Sequence, residues 1–316
     1  MTMQQPTIPS ESAVNTPKSM QATLPYKLFR SLSNFLECLS LAKLHTIGTA
    51  ISLFYWYLVP SRKQIAIDAV AKHLQLPPDE ATKLARASVV NNCKSFMEIF
   101  HTRYLHTHPP ILECEDTENF QRYLQEPGPI VCITAHLGAW ELLNPYAAAS
   151  HLGRPKIVVV RKQKIEYLSE IMRELRTSGG MEAIDHRQAT TKAMDCLRNN
   201  GVVAFLADHN TRRREAIFLP FLEDIAAVNQ GPALIALRAK ALVFPVFLLR
   251  DGLKMRLRLD APLDTKELTG TVSERVQAIA SFYTDAIARH VRACPEQWFW
   301  MHKRWATRPK QDTNPL

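Results

Sequence analysis

Apolar side chains recur at Leu28, Leu32, Phe35, Leu36 and Leu39, spacings that place them on one face of a helix beginning near Leu24. The next stretch, Leu44 to Ser61, contains no Asp, Glu, Lys or Arg and ends in Leu53-Phe54-Tyr55-Trp56-Tyr57-Leu58-Val59. A membrane span needs about 20 predominantly apolar residues, and His45, Thr46, Thr49 and Ser52 dilute this run. Its Tyr and Trp cluster suits a membrane–water interface, where rings bury one end and wet the other. The pattern predicts a helical pair that dips into or lies on a bilayer, with a buried core helix as the alternative. Residues 62–105 read as two helices broken at Pro77-Pro78, the second with Asp79 as its N-cap.

From residue 129 the period changes. Short apolar, β-branched runs occur at Ile130–Thr134, Ile157–Val160, Met181–Ile184, Val202–Ala207, Leu242–Leu249 and Met255–Leu259. Helical patterns separate them at 140–150, 164–177, 188–199 and 230–240, and one more follows at 272–292. Strands alternating with helices predict an α/β fold: a mainly parallel central sheet with helices on both faces. The expected organisation is a polar, disordered tail at 1–23, a membrane-associated helical region at 24–106, an α/β core at 107–310 and a short tail at 311–316.

Composition narrows the chemistry. With 10 glycines against 20 prolines, and no G-x-G-x-x-G, G-x-x-x-x-G-K or G-x-S-x-G, neither a phosphate-cradling loop nor a serine-nucleophile elbow is present. The formal charge of +9 suits an acidic partner such as an anionic membrane surface or an acidic carrier. No nucleic-acid module accompanies it, so nucleic acid is not an expected partner. The six cysteines (38, 93, 114, 132, 196 and 294) form no C-x-x-C pair and read as free thiols of a reduced compartment. His101, His106 and His108 lack zinc-site spacing, and neither a metal nor a cofactor is expected.

Ionisable groups follow four of the predicted strands: His136, then Arg161, then Asp185-His186-Arg187, then Asp208-His209. Open parallel sheets bind ligands at the carboxyl ends of their strands. The sharpest segment is His136-Leu137-Gly138-Ala139-Trp140-Glu141. On a continuous helix His136 and Glu141 would sit about 140° apart. A strand–loop–helix setting would instead let the carboxylate turn back and orient the imidazole. An ordinary strand-end His followed by a first-turn helix charge is the plainer alternative. Asp208 would orient a cation or His136, or cap a loop. Arg161 offers a planar fork for phosphate, and Arg212-Arg213-Arg214 suits anionic headgroups or an acidic carrier. Trp298, Trp300 and Trp305 would anchor at an interface or form a packed C-terminal lid.

The His136-to-Glu141 segment resembles the His-four-residues-Glu motif of the late acyltransferases of lipid A biosynthesis, within the wider glycerolipid acyltransferase-like group. The strand ending in Arg161 resembles the same family, as do Asp208 followed by Phe218-Leu219-Pro220-Phe221 and the segment Pro295 to Trp305. His209 stands where Gln is usual, and Glu223 where Gly is frequent. The resemblance implies transfer of a fatty acyl group from acyl-carrier protein or coenzyme A to a membrane-lipid hydroxyl, such as that of a lipid A precursor. It places the work at the cytoplasmic face of the bacterial inner membrane. His136 would be the general base and Glu141 its partner, with Arg161, Arg187 and Asp208 as substrate-binding residues. A thioesterase or a non-catalytic lipid-binding protein on the same scaffold are the rival readings.

Overall fold

The computed structural model describes residue 21 and residues 23–106, 112–114, 116–149, 153–160, 163–177, 181–185 and 187–310. The expectation for 1–23 therefore falls almost entirely outside the described residues. Helices α1 (Leu24–Glu37), α2 (Leu41–Leu58), α3 (Pro60–Leu74) and α4 (Pro78–Glu98) come first, followed by a 3-10 segment at Ile99–His106. α4 starts at its proline, with Pro77 at the cap position and no side-chain cap. Asp79 therefore sits within the first turn, not at the N-cap. There, with Glu80, it meets the positive end of the helix dipole.

α2 is not a span, and among the described residues no helix is long and apolar enough to cross a membrane. Its buried residues, Leu41, Leu44, His45, Gly48, Ser52 and Trp56, recur at helical spacing. This face packs against α4 closely enough that a Cβ on Gly48 would stand 3.0 Å from the Cys93 backbone. The opposite face leaves Ile51, Leu53, Phe54, Tyr57 and Leu58 exposed, as α1 leaves Leu24, Leu28, Leu32 and Phe35. One face of α2 is therefore core, as the buried-helix reading expects, and the other is apolar and exposed.

The remainder runs β1 (Leu112–Cys114), α5 (Thr117–Gln125), β2 (Ile130–Thr134), α6 (Leu143–Ala149), β3 (Lys156–Val160), α7 (Glu166–Thr177), β4 (Glu182–Asp185), α8 (Ala189–Arg198) and β5 (Val202–Leu206). It continues through β6 (Ala216–Phe221), β7 (Asp224–Asn229), α9 (Gly231–Ala239), β8 (Leu242–Asp251), β9 (Lys254–Leu259), β10 (Leu263–Asp264) and α10 (Val272–Ala293). The main sheet has the order β1-β9-β8-β2-β5-β3-β4, with β10 against β8. β8, β2, β5, β3 and β4 are mutually parallel where they pair, and β9 runs antiparallel to β8. All six predicted strands form within a residue or two of their expected bounds.

Alternation along β2 shows why both faces are covered. Val131 and Ile133 belong to one hydrophobic cluster and Ile130 and Cys132 to another, and β8 divides Val243, Phe247 and Leu249 from Leu242, Phe244 and Leu248 in the same way. The first cluster also contains Trp56, Val70, Ala85 and Val89, so the N-terminal helices share a core with the sheet. It takes in Trp298 and Trp300 too, both fully buried. The C-terminal aromatics are therefore a packed lid, not an interfacial anchor. Trp305 stacks on His73 with ring centroids 3.5 Å apart. All six cysteines are free, with Cys93, Cys132 and Cys196 buried.

Candidate active site

β2 and β5 are parallel neighbours with Thr134 opposite Leu206. Two residues beyond each, the same register brings His136 level with Asp208, in the crevice where such sheets bind ligands. Imidazole Nδ1 and Asp208 Oδ1 lie 2.8 Å apart. Asp208 Oδ2 accepts the His136 backbone N–H and the Trp298 indole N–H, each at 2.9 Å. The Asp208 side chain is fully buried while His136 keeps 17% of its side chain exposed. Burial alone would raise the Asp208 carboxyl. The His136 ring and the hydrogen bond to it, with His209 and His302 behind, hold it well below the usual carboxylate range. With Asp208 ionised, Nδ1 is the ring nitrogen that donates to it, and Nε2 makes no hydrogen bond among the described residues.

Glu141 does not partner His136. It is buried on a short 3-10 turn, Trp140–Leu142, and its two oxygens take a fork from Arg176 of α7 at 2.6 and 3.0 Å. The Glu141 charge raises the Arg176 pKa against the opposing effect of burial. Spacing put Glu141 one turn past the histidine, but Nδ1 points along the sheet to the next strand instead of forward to the helix. The pair ties the loop that follows His136 to α7. Asp208, read from sequence as a substrate ligand or an orienting group for His136, takes the orienting role.

The loop itself is pinned. Gly138 has φ +66°, and a Cβ there would fall 2.1 Å from the Leu248 carbonyl. Gly138 N–H donates to Gln297 O and Ala139 N–H to Leu248 O, at 3.1 and 2.7 Å. The Gly138 carbonyl accepts from Ser95 Oγ at 2.6 Å and from Arg250 Nη2 at 2.7 Å. Arg250 is buried and ion-paired with Glu98 at 2.6 Å, and Glu98 also meets His45 Nε2 at 2.8 Å. Burial would raise the Glu98 carboxyl, but the Arg250 charge and the His45 contact bring it below its ordinary value. Sequence reasoning passed over Ser95, Glu98 and Arg250. Each sits inside a helix or strand pattern, and nothing local marks it as more than a surface residue.

Aromatic rings wall the base: Trp140 at 5.3 Å between centroids, Phe299 at 6.1 Å and His209 at 4.3 Å. Behind His209, the buried Arg304 donates to the carbonyls of His209 and Ala227 at 3.2 and 2.6 Å. His302 stands edge-on to His209 with its Nε2 buried and unbonded. One ligand-competent atom from each of His136, Asp208 and His209 lies within a mutual 4.8 Å. The sequence reading offered a cation as one option for Asp208 but did not bring these three residues together.

The other predicted site residues are more distant. Arg161 and His186 lie outside the described residues. Arg187 is exposed beyond β4, its backbone N–H bonded to Asp185 Oδ1 at 2.9 Å. β4 is the third strand from β2, roughly 14 Å across at the spacing of neighbouring strands. That is too far for Arg187 to sit beside His136. Arg212, Arg213 and Arg214 are exposed on the segment that follows Asp208-His209.

The parallel sheet thus sets an oriented imidazole at its carboxyl edge, and no serine-nucleophile motif accompanies it. The sequence model described as bacterial lipid A biosynthesis acyltransferase matches residues 75–307. The chain belongs to that family and is an acyltransferase. Among its curated relatives is the phosphatidylinositol mannoside acyltransferase of Mycolicibacterium smegmatis, 23% identical over 72% of this chain and 74% of the relative. Another is the lipid A biosynthesis palmitoleoyltransferase of Escherichia coli, 24% identical over 62% of each chain, less than two thirds of that relative's length. The Escherichia coli lipid A biosynthesis lauroyltransferase is 28% identical over 36% of this chain and 37% of its own.

Proposed function

We propose that His136 is the general base of an O-acyl transfer from an acyl thioester to a hydroxyl of a membrane lipid. The observation that carries this reading is the His136–Asp208 contact at 2.8 Å, which keeps Nδ1 protonated and leaves Nε2 open. Nε2 takes the acceptor's proton as its oxygen attacks the thioester carbonyl. Asp208 stabilises the imidazolium. The tetrahedral intermediate then expels the thiolate, which leaves with the proton returned from Nε2. The products are an ester and a free thiol, and no acyl-enzyme forms. Glu141 and Arg176 act by holding the loop that presents His136.

The donor in this reading is acyl-carrier protein or coenzyme A carrying the chain, and the exposed arginines 212–214 supply positive charge beside the site for either. The acceptor is a lipid A precursor or a related glycolipid. The names of the relatives support a glycolipid, and Arg161 and Arg187 are the groups we assign to its phosphates. Arg187 serves a phosphate remote from the reacting hydroxyl. The uncovered apolar faces of α1 and α2 support attachment to the cytoplasmic face of the inner membrane.

The test is incubation with acyl-carrier-protein and coenzyme A thioesters and a membrane lipid extract, followed by mass analysis. Acylated lipid is expected, whereas free fatty acid alone would make the protein a thioesterase. Folded His136→Ala should lose about 100- to 10,000-fold in rate. Parental turnover in that variant would remove His136 from the mechanism.

A further inference from the structure

We infer that His136, Asp208 and His209 form a binding site for a divalent cation of the zinc class, and that its occupancy switches acyl transfer off. Two imidazoles and one carboxylate each place a ligand atom within a mutual 4.8 Å. Zinc bonds to such donors are about 2.0–2.2 Å long, so ligand atoms around a tetrahedral ion lie roughly 3.4 Å apart. His136 Nδ1 and Asp208 Oδ1 share a hydrogen bond at 2.8 Å, so on ligation Nδ1 releases its proton to solvent and the pair opens slightly. The contraction falls on His209, whose side chain is exposed and whose backbone carbonyl is held by Arg304.

Charge points the same way. Among the described residues Asp208 has no Lys or Arg ion pair, and its salt-bridge partner is His136 alone. Its other hydrogen bonds come from a backbone amide and an indole, both neutral. The buried Arg304 guanidinium also acts on Asp208, but without a direct ion pair. A buried carboxylate with no directly paired Lys or Arg is a place where a dication gains more than it would at an exposed acid. Two nitrogen donors favour zinc and its first-row neighbours over magnesium or calcium, which take oxygen cages. Binding consumes the same imidazole that removes the acceptor's proton, so the cation and catalysis exclude each other. That last step rests on the proposed role of His136, but the binding itself does not.

The experiment titrates the full chain in detergent micelles with zinc against a chromophoric chelator at neutral pH, with magnesium and calcium as controls. The expected result is saturable binding of about one zinc ion that neither control displaces. His209→Gln and Asp208→Asn should each weaken it by about tenfold or more, the scale on which a site's supporting groups tune metal affinity. In parallel, zinc should inhibit acyl transfer by the parent reversibly, with recovery on adding chelator. His209→Gln, referred to its own zinc-free rate, should resist the same concentrations. Absence of saturable binding, or equal affinity in both variants, overturns the site. If zinc binds as expected yet leaves transfer untouched, the switch is refuted, and the zinc-free rate of His136→Ala then tells whether His136 was the base.

Discussion

Among the described residues, two histidine–carboxylate pairs share a 2.8 Å separation, His45–Glu98 and His136–Asp208. In the first, Arg250 neutralises the carboxylate, Ser95 and Asn91 occupy the guanidinium, and the histidine lies inside a helix–helix contact. In the second, no cation pairs with the carboxylate among the described residues, and the outer edge of the histidine reaches solvent. The first pair is closed off, with its carboxylate compensated by an arginine and its imidazole away from water. The second keeps an open edge. What separates the two pairs is therefore a directly paired cation and access to solvent, not the identity of the groups.

The strongest way to break this contrast is at the carboxylates. Asp208→Asn should keep the fold but lower acyl transfer by about 100- to 10,000-fold, since the wrong imidazole tautomer is then held toward the acceptor. A variant retaining more than about a tenth of the parental rate, itself only about 1.4 kcal/mol of barrier, would show that Asp208 does not orient the base. Arg250→Leu should do the opposite, removing roughly 3–5 kcal/mol of stability by stranding Glu98. Thermal unfolding of Arg250→Leu beside Arg250→Leu/Glu98→Leu checks this. The double variant should regain much of the loss, and a single variant as stable as the parent would deny the network its role.

A smaller effect is expected where the two regions touch. Gly138→Ala forces a Cβ against the Leu248 carbonyl at positive φ, for a cost of about 1–3 kcal/mol. The rate per folded molecule should also fall, because His136 is two residues away. Unchanged turnover with lowered stability would uncouple the loop from the base. The pH dependence should be milder still. Burial lowers the His302 imidazole to about 3 and that of His73 to about 4. The unfolded chain takes up these protons below about 6.5, so their contribution is whole above that pH and is lost as the pH falls toward 4 and 3. Melting temperature should slope downward from about pH 6.5, more gently in His73→Phe, and a flat profile to pH 4.5 would contradict it. The smallest effect should come from the exposed pair Arg289–Asp260, where Arg289→Ala should change stability by less than about 1 kcal/mol.

Much of this was legible before any coordinates. The apolar runs gave the sheet because each is bounded by a change of period. The dyad was also within reach. His136 and Asp208 each follow the end of a predicted strand, and once those strands are neighbours in register the two must meet. What sequence lacks is the strand order, and without it the nearer acid, Glu141, looked like the partner. The β6–β7 hairpin was missed for a local reason: its turn is Leu222-Glu223, with Leu222 at φ 56°, where a Gly or Asn would have signalled it. Arg187 follows β4, which does not border β2: on that side β2's neighbour is β5, with β3 and β4 beyond it.

The hydrogen bonds from Ser95 and Arg250 to the Gly138 carbonyl have a geometrical consequence. α4 carries Ser95 and packs directly on α2, whose outer face bears Phe54, Tyr57 and Leu58. The reactive nitrogen and that apolar face are thus joined through two side chains and one helix contact, with no hinge between them. If that face rests on a membrane and His136 is the base, as proposed, His136 would be carried at a set height above the surface. The protein would then act as a depth gauge: among several hydroxyls on one acceptor, the one presented at that height would meet the base.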